Sequence, residues 1–137
     1  MGEFWNEELE TMPWEEVQRY WLGVLSRQLQ YVKEASPFYR ERLKHFQPER
    51  LRSLEQMREL PFLTKEDVRS AQSATDRDMP LGSLQTARTE DIVQVLSSSG
   101  TSGRPVFYGL TRKDLEAFRD GLAMFFYTAG VRKEDIV

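Results

Sequence analysis

Cysteine is absent from the chain, so neither a disulfide framework nor thiol chemistry can be built from it, and a reducing compartment suits it. Histidine is almost absent. His45 stands alone, which rules out a multi-histidine metal cluster, and its surroundings place it at a solvated helix end rather than in a catalytic triad. No apolar run approaches the roughly 20 residues that span a bilayer. The opening Met1-Gly2-Glu3-Phe4-Trp5 lacks the basic and apolar regions of a signal peptide, and Asn6 breaks the myristoylation pattern after Gly2. These absences predict a cytoplasmic protein with no membrane partner. Basic character is also lacking: the formal net charge is −3 and no cationic stripe emerges, which argues against nucleic acid as a partner.

What the chain does have is bulk to pack. Three Trp, five Tyr and eight Phe in 137 residues are enough for one hydrophobic core, and 39% hydrophobic against 30% charged residues is the balance of a soluble domain. Apolar side chains at 14, 17, 21, 24, 25, 31, 32 and 35 recur at helical spacing and predict a helix from Pro13 to Ala35. Glu15 and Glu16 suit its positive end, and Ser36-Pro37 ends it while opening a shorter helix. Aromatics at this spacing read as a packing face. Ser53 with Gln56, and Thr64 with Asp67, match capping boxes and predict short helices around 54–59 and 65–71. A polar connection with Pro80 and Gly82 as breakers follows, over residues 71–90. Strands are expected at 92–97 and 105–110, then a helix capped by Thr111 with Asp114 and stopped by Gly130. Residues 133–137 have the look of a further strand.

The most informative stretch joins the two expected strands: Ser97-Ser98-Ser99-Gly100-Thr101-Ser102-Gly103-Arg104-Pro105. The glycines permit close backbone approach to a ligand, and the hydroxyls with successive main-chain N–H groups can line an anion-binding nest. No acidic residue occurs between Ile92 and Lys113, whereas Arg104, Arg112 and Lys113 are cationic, so an anionic ligand is favoured. It is not a Walker A loop, which needs Gly-Lys-Ser/Thr opening a helix. By pattern alone a phosphate loop and a plain hairpin loop both fit.

The segment from Val95 to Thr111, VLSSSGTSGRPVFYGLT, resembles the ATP-phosphate loop of adenylate-forming acyl-CoA ligases, and of their phenylacetate–CoA ligase-like branch in particular. Further segments are similar to that branch in the same order. They are Glu10-Thr11-Met12, Ser36-Pro37-Phe38-Tyr39-Arg40, the run from Leu60 to Arg69 (LPFLTKEDVR), Thr111 to Leu115, and Ala129-Gly130-Val131. The resemblance implies an α/β chain. Residues 1–75 would form a helical N-terminal lead, and 76–137 the start of the large AMP-binding domain, cut off after its first strands and helix. It implies a parent enzyme that joins a carboxylic acid such as phenylacetate to coenzyme A at the expense of ATP, with Mg²⁺ assisting. Ser97, Ser98, Ser99, Gly100, Thr101, Ser102, Gly103 and Arg104 would bind the ATP phosphates. Arg104 stands where the branch often has lysine. Val106 stands where many adenylate-forming enzymes carry lysine, which the phenylacetate-type branch also lacks. No catalytic side chain and no protein metal ligand is assigned, and the fragment alone is expected to be inactive. The readings left open are a non-catalytic nucleotide- or phosphate-binding module, a helical interaction module, and a ligase for another carboxylate. A homodimer is also open.

Overall fold

A computed structural model describes residues 3–73, 75–98 and 104–136. The chain opens with a single helical turn, α1 (Glu7–Glu10), which the apolar pattern does not signal because three of its four residues are glutamates. It exists through its caps: the Asn6 side chain accepts from the Leu9 N–H at 3.1 Å, and Glu10 accepts from the Asn6 N–H at 2.6 Å. Helix α2 (Trp14–Ala35) matches the expected span, with acidic residues in its first turn and Lys33 in its last. Its apolar stripe is only partly covered. Trp14, Trp21 and Tyr31 each stay about half exposed, the two tryptophans meeting edge to face at 5.6 Å.

Ser36 is the pivot of the helical lead. It is fully buried, caps α3 (Pro37–Arg42) by accepting from the Tyr39 N–H, and donates its hydroxyl to the Ser83 carbonyl at 2.7 Å. Beyond α3 the chain turns back along α2, where the Ser26 hydroxyl bonds the Pro48 carbonyl and Lys33 bonds that of Phe46. His45 lies exposed in the turn after α3, as expected. The helix predicted around 54–59 forms as a 3₁₀ helix, Leu54–Glu59, with the Ser53/Gln56 capping box in place. Six residues ahead of Pro61 leave little room for a regular α-helix. Helix α4 (Lys65–Ser73) is capped as predicted, the Asp67 carboxylate accepting from the Thr64 N–H at 2.8 Å and Thr64 Oγ1 accepting from the Asp67 N–H at 3.1 Å. Arg42 approaches Asp67 at 3.2 Å and also donates to the Phe62 carbonyl, so the N-terminal end of α4 is fastened to α3.

The connection over 75–91 is irregular but firmly held. Gly82 has φ +79° and lies against the last turn of α4, where the Ser83 N–H bonds the Ala71 carbonyl at 3.1 Å. The Ser83 carbonyl receives both the Ser36 hydroxyl and the Phe38 N–H. Buried Gln85 holds the fold of this segment by donating to the Ala87 carbonyl and the Thr89 hydroxyl, both at 3.0 Å, while accepting from the Leu81 N–H.

Strands β1 (Ile92–Ser97) and β2 (Phe107–Thr111) form an antiparallel pair, with Ser97 opposite Phe107 and a bulge between Ile92 and Gln94. The second strand starts two residues later than expected, because Pro105 has no N–H to give to the ladder. Thr111 ends β2 and at once caps α5 (Arg112–Thr128), through the predicted capping box with Asp114. The expectation of a strand over 133–137 is corrected: residues 133–136 form a turn and an irregular end, and Val137 lies outside the described residues. A strand needs a neighbour to take its backbone groups, and none lies beside this segment among the described residues. Helices with a two-stranded sheet make the chain α/β in class.

Candidate functional site

The Ser/Gly stretch is held at its two ends by the hairpin. Of the residues expected to bind phosphate, Ser97, Ser98 and Arg104 are described; Ser99, Gly100, Thr101, Ser102 and Gly103 lie outside the described residues. Ser97 is the last residue of β1. Beyond it the ladder is continued by one more pair, in which the Ser98 N–H donates to the Val106 carbonyl at 2.9 Å. In return the Val106 N–H is accepted not by a carbonyl but by Ser98 Oγ, at 3.1 Å. Ser98 thus closes the neck of the hairpin. Its amide is committed to the ladder, and only its hydroxyl proton remains to offer a ligand. Val106 is the most buried apolar side chain described, at 1% exposed, so a lysine there would bring an ammonium into the interior. That accounts physically for valine at this position.

Arg104 is exposed, and its main chain is tethered from the side. Arg69 on α4 donates through Nε to the Arg104 carbonyl at 3.1 Å, while its guanidinium also approaches Glu66 at 3.5 Å. One turn further along α4, Gln72 takes both backbone groups of Phe107. Its Nε2 donates to the Phe107 carbonyl at 2.6 Å, and its Oε1 accepts from the Phe107 N–H at 3.0 Å. The carboxamide therefore pairs with the outer edge of β2 as another strand would. A cleft of about 780 Å³ runs beside β2, with Tyr31, Tyr39, Phe107 and Tyr108 in its walls. Among the described residues, the side-chain hydrogen bonds that fix the hairpin's neck to the helical lead come from α4.

The cations grouped by sequence do not stay together in the fold. Arg112 and Lys113 open α5 at the far end of β2. At about 3.3 Å per residue the strand sets them on the order of 15 Å from the neck. Of the cations grouped by sequence only Arg104 stands beside the loop, and Arg69, which sequence proximity does not single out, joins it there. The one available signal was the run from Leu60 to Arg69, already notable for its likeness to the ligase branch. The carboxylates of the region serve structure. The Thr64 N–H, with its hydroxyl and Arg42 adding to the effect, holds Asp67 below the usual carboxylate range. Arg88 does the same for Asp91. No group of three His, Asp or Glu side chains that fits a metal ion occurs among the described residues. No described helix is long and apolar enough to cross a membrane.

No family model matches the chain. Curated relatives do. It is 35% identical over 130 residues to the phenylacetate-coenzyme A ligase of Thermus thermophilus, which covers 93% of this chain and 27% of that enzyme. It is 27% identical over 129 residues to the enzyme of the same name from Escherichia coli, covering 93% of the chain and 28% of the relative. Among solved structures it superposes on 2-hydroxyisobutyryl-CoA ligase in complex with 2-HIB-AMP and CoA, with a TM-score of 0.86 and 34% identity. That match covers 98% of this chain and 28% of the ligase. The chain thus spans little more than a quarter of the length of the proteins it matches, as an N-terminal segment of such a ligase would.

Proposed function

We propose that this chain, which belongs with the phenylacetate–CoA ligase-like branch of the adenylate-forming enzymes, supplies the ATP-phosphate loop of an acid–CoA ligase. The observation that carries the reading is the likeness of nearly the whole chain, in sequence and in backbone, to ligases of this kind. In the proposed reaction the carboxylate of the acid attacks the α-phosphorus of ATP. An acyl-adenylate forms and pyrophosphate leaves. The thiol of coenzyme A then takes the acyl group and AMP departs. The loop's task is to hold the departing pyrophosphate in line and neutralise its charge, which preorganised donors do without rearranging during the reaction.

Residues are assigned within that task as follows. Ser99, Thr101 and Ser102 give hydroxyl and amide donors, Gly100 and Gly103 give room for close approach, and Arg104 gives a permanent charge able to pair bidentately. Ser97 and Ser98 anchor the loop to the sheet, Ser98 contributing its hydroxyl alone. Mg²⁺ enters this reading as the counter-ion of the nucleotide. Residues 1–75 act as the helical lead and 76–137 as the start of the AMP-binding domain. An aromatic acid such as phenylacetate, degraded in the cytoplasm, is the proposed substrate. The segment by itself is proposed to lack turnover.

The test is acid-dependent ATP–pyrophosphate exchange by the full-length ligase that contains this segment. Gly100→Val, or Thr101→Val combined with Ser102→Ala, is expected to lower exchange by about 10²-fold or more, the scale seen when oxyanion-type donors are removed. Unchanged exchange in a correctly folded variant overturns the assignment.

A further inference from the structure

We propose that Arg69 and Gln72 are positioning residues that set the grip of the loop on ATP from outside it. The inference rests on the phosphate-loop reading and deepens it. The two side chains are three positions apart and so share one face of α4. Both reach backbone on the descending limb of the loop: Arg69 the Arg104 carbonyl, Gln72 both polar groups of Phe107. The residues they hold flank buried Val106, whose N–H and C=O close the neck with Ser98. The limb that carries the Arg104 guanidinium is thereby fixed at three successive points.

The face that does this is itself rigidly placed. Thr64, Asp67 and Arg42 fix the first turn of α4, and the Ser83 N–H fixes its last turn at the Ala71 carbonyl. A hairpin two strands wide has little stiffness of its own. Fastening it from α4 removes freedom that nucleotide binding would otherwise have to remove, and a preorganised site binds more tightly for that reason. The residue types suit the task. A primary amide has both the donor and the acceptor that an exposed strand edge requires, whereas an ionised carboxylate has only acceptors.

In the full-length ligase, Gln72→Leu combined with Arg69→Met is expected to raise the KM for ATP in the exchange assay roughly tenfold or more. The KM values for the acid and for coenzyme A should stay within about twofold. A merely structural role would reduce the amount of active enzyme and leave every KM unchanged. Gln72→Glu, nearly isosteric, carries the test if the double variant does not fold. It keeps the acceptor and regains the donor only when protonated, so its ATP KM should fall toward that of the parent as pH is lowered. An ATP KM at the parent value in the folded double variant, or in Gln72→Glu at neutral pH, overturns the proposal. The two readings fail separately. If the Thr101→Val, Ser102→Ala variant exchanges normally, the phosphate reading falls and this proposal with it. If that variant is crippled while the α4 variants keep a normal ATP KM, only the positioning role falls.

Discussion

Among the glycines whose surroundings are described, Gly82 is expected to be the one where an added methyl group (Gly82→Ala) does most damage. Two separate costs meet at the position. Its φ of +79° lies in the left-handed region, where an L side chain costs about 1–2 kcal/mol. A Cβ there would also stand 2.1 Å from the Ala71 carbonyl oxygen and 2.7 Å from the Gln72 Cα. Those atoms are backbone, so no side chain can rotate away. Relief requires the turn over 79–83 to part from α4, which strains packing by about 1–3 kcal/mol. It also loses the 3.1 Å bond from the Ser83 N–H to the Ala71 carbonyl, a loss of about 1 kcal/mol. The total is about 3–6 kcal/mol, a large share of a typical domain's stability. For a chain of this size that is a fall in Tm of roughly 12–24 °C. Thermal unfolding followed by circular dichroism reads it directly. Gly82→Asn separates the causes, since asparagine tolerates positive φ yet still carries the Cβ. It should unfold nearly as early as the alanine variant. A Tm for either variant within about 2 °C of the parent would refute the close-contact reasoning.

Gly121→Ala should do the reverse: it lies within α5, an added Cβ meets nothing within 4 Å, and alanine should stabilise the helix by about 1 kcal/mol, read as a raised Tm. Acidification should weaken the fold through Asp67 and Asp91. Their carboxyls are held below the unfolded-state value, so the stabilisation they give is complete above that value and is lost as pH falls through the folded one. Tm should therefore drop below about pH 4, less steeply in Asp67→Asn, and an identical pH profile for that variant would contradict the role given to the Thr64 cap.

The parts of this fold that are local in sequence were legible, and those that depend on distant partners were not. Capping boxes at Ser53/Gln56, Thr64/Asp67 and Thr111/Asp114 could be read because both members lie within one helical turn. The hairpin was visible from its apolar runs and its Ser/Gly connection. The polar turn α1 was not, since its caps outweigh a sequence without apolar periodicity. Nothing local marks Ser36 as a fully buried junction, because its second partner, Ser83, is 47 residues away. Gln72 was equally silent: the backbone it satisfies lies 35 residues on, and a glutamine on a short polar helix carries no pattern of its own. At the candidate site the grouping of Arg104 with Arg112 and Lys113 failed for a geometric reason, a whole strand intervening, while Arg69 arrived from another helix.

If the segment between Ser98 and Arg104 grips the phosphates of a nucleotide, its backbone amides should report it. Amide resonances of the chain, followed by nuclear magnetic resonance while pyrophosphate is added, test it most directly. The amides of Gly100, Thr101, Ser102, Gly103 and Arg104 should shift together and saturate, while that of Ser98, bonded to the Val106 carbonyl, moves little. Shifts that gather instead at the start of α5 around Arg112 and Lys113, with residues 99–104 unmoved, would contradict it.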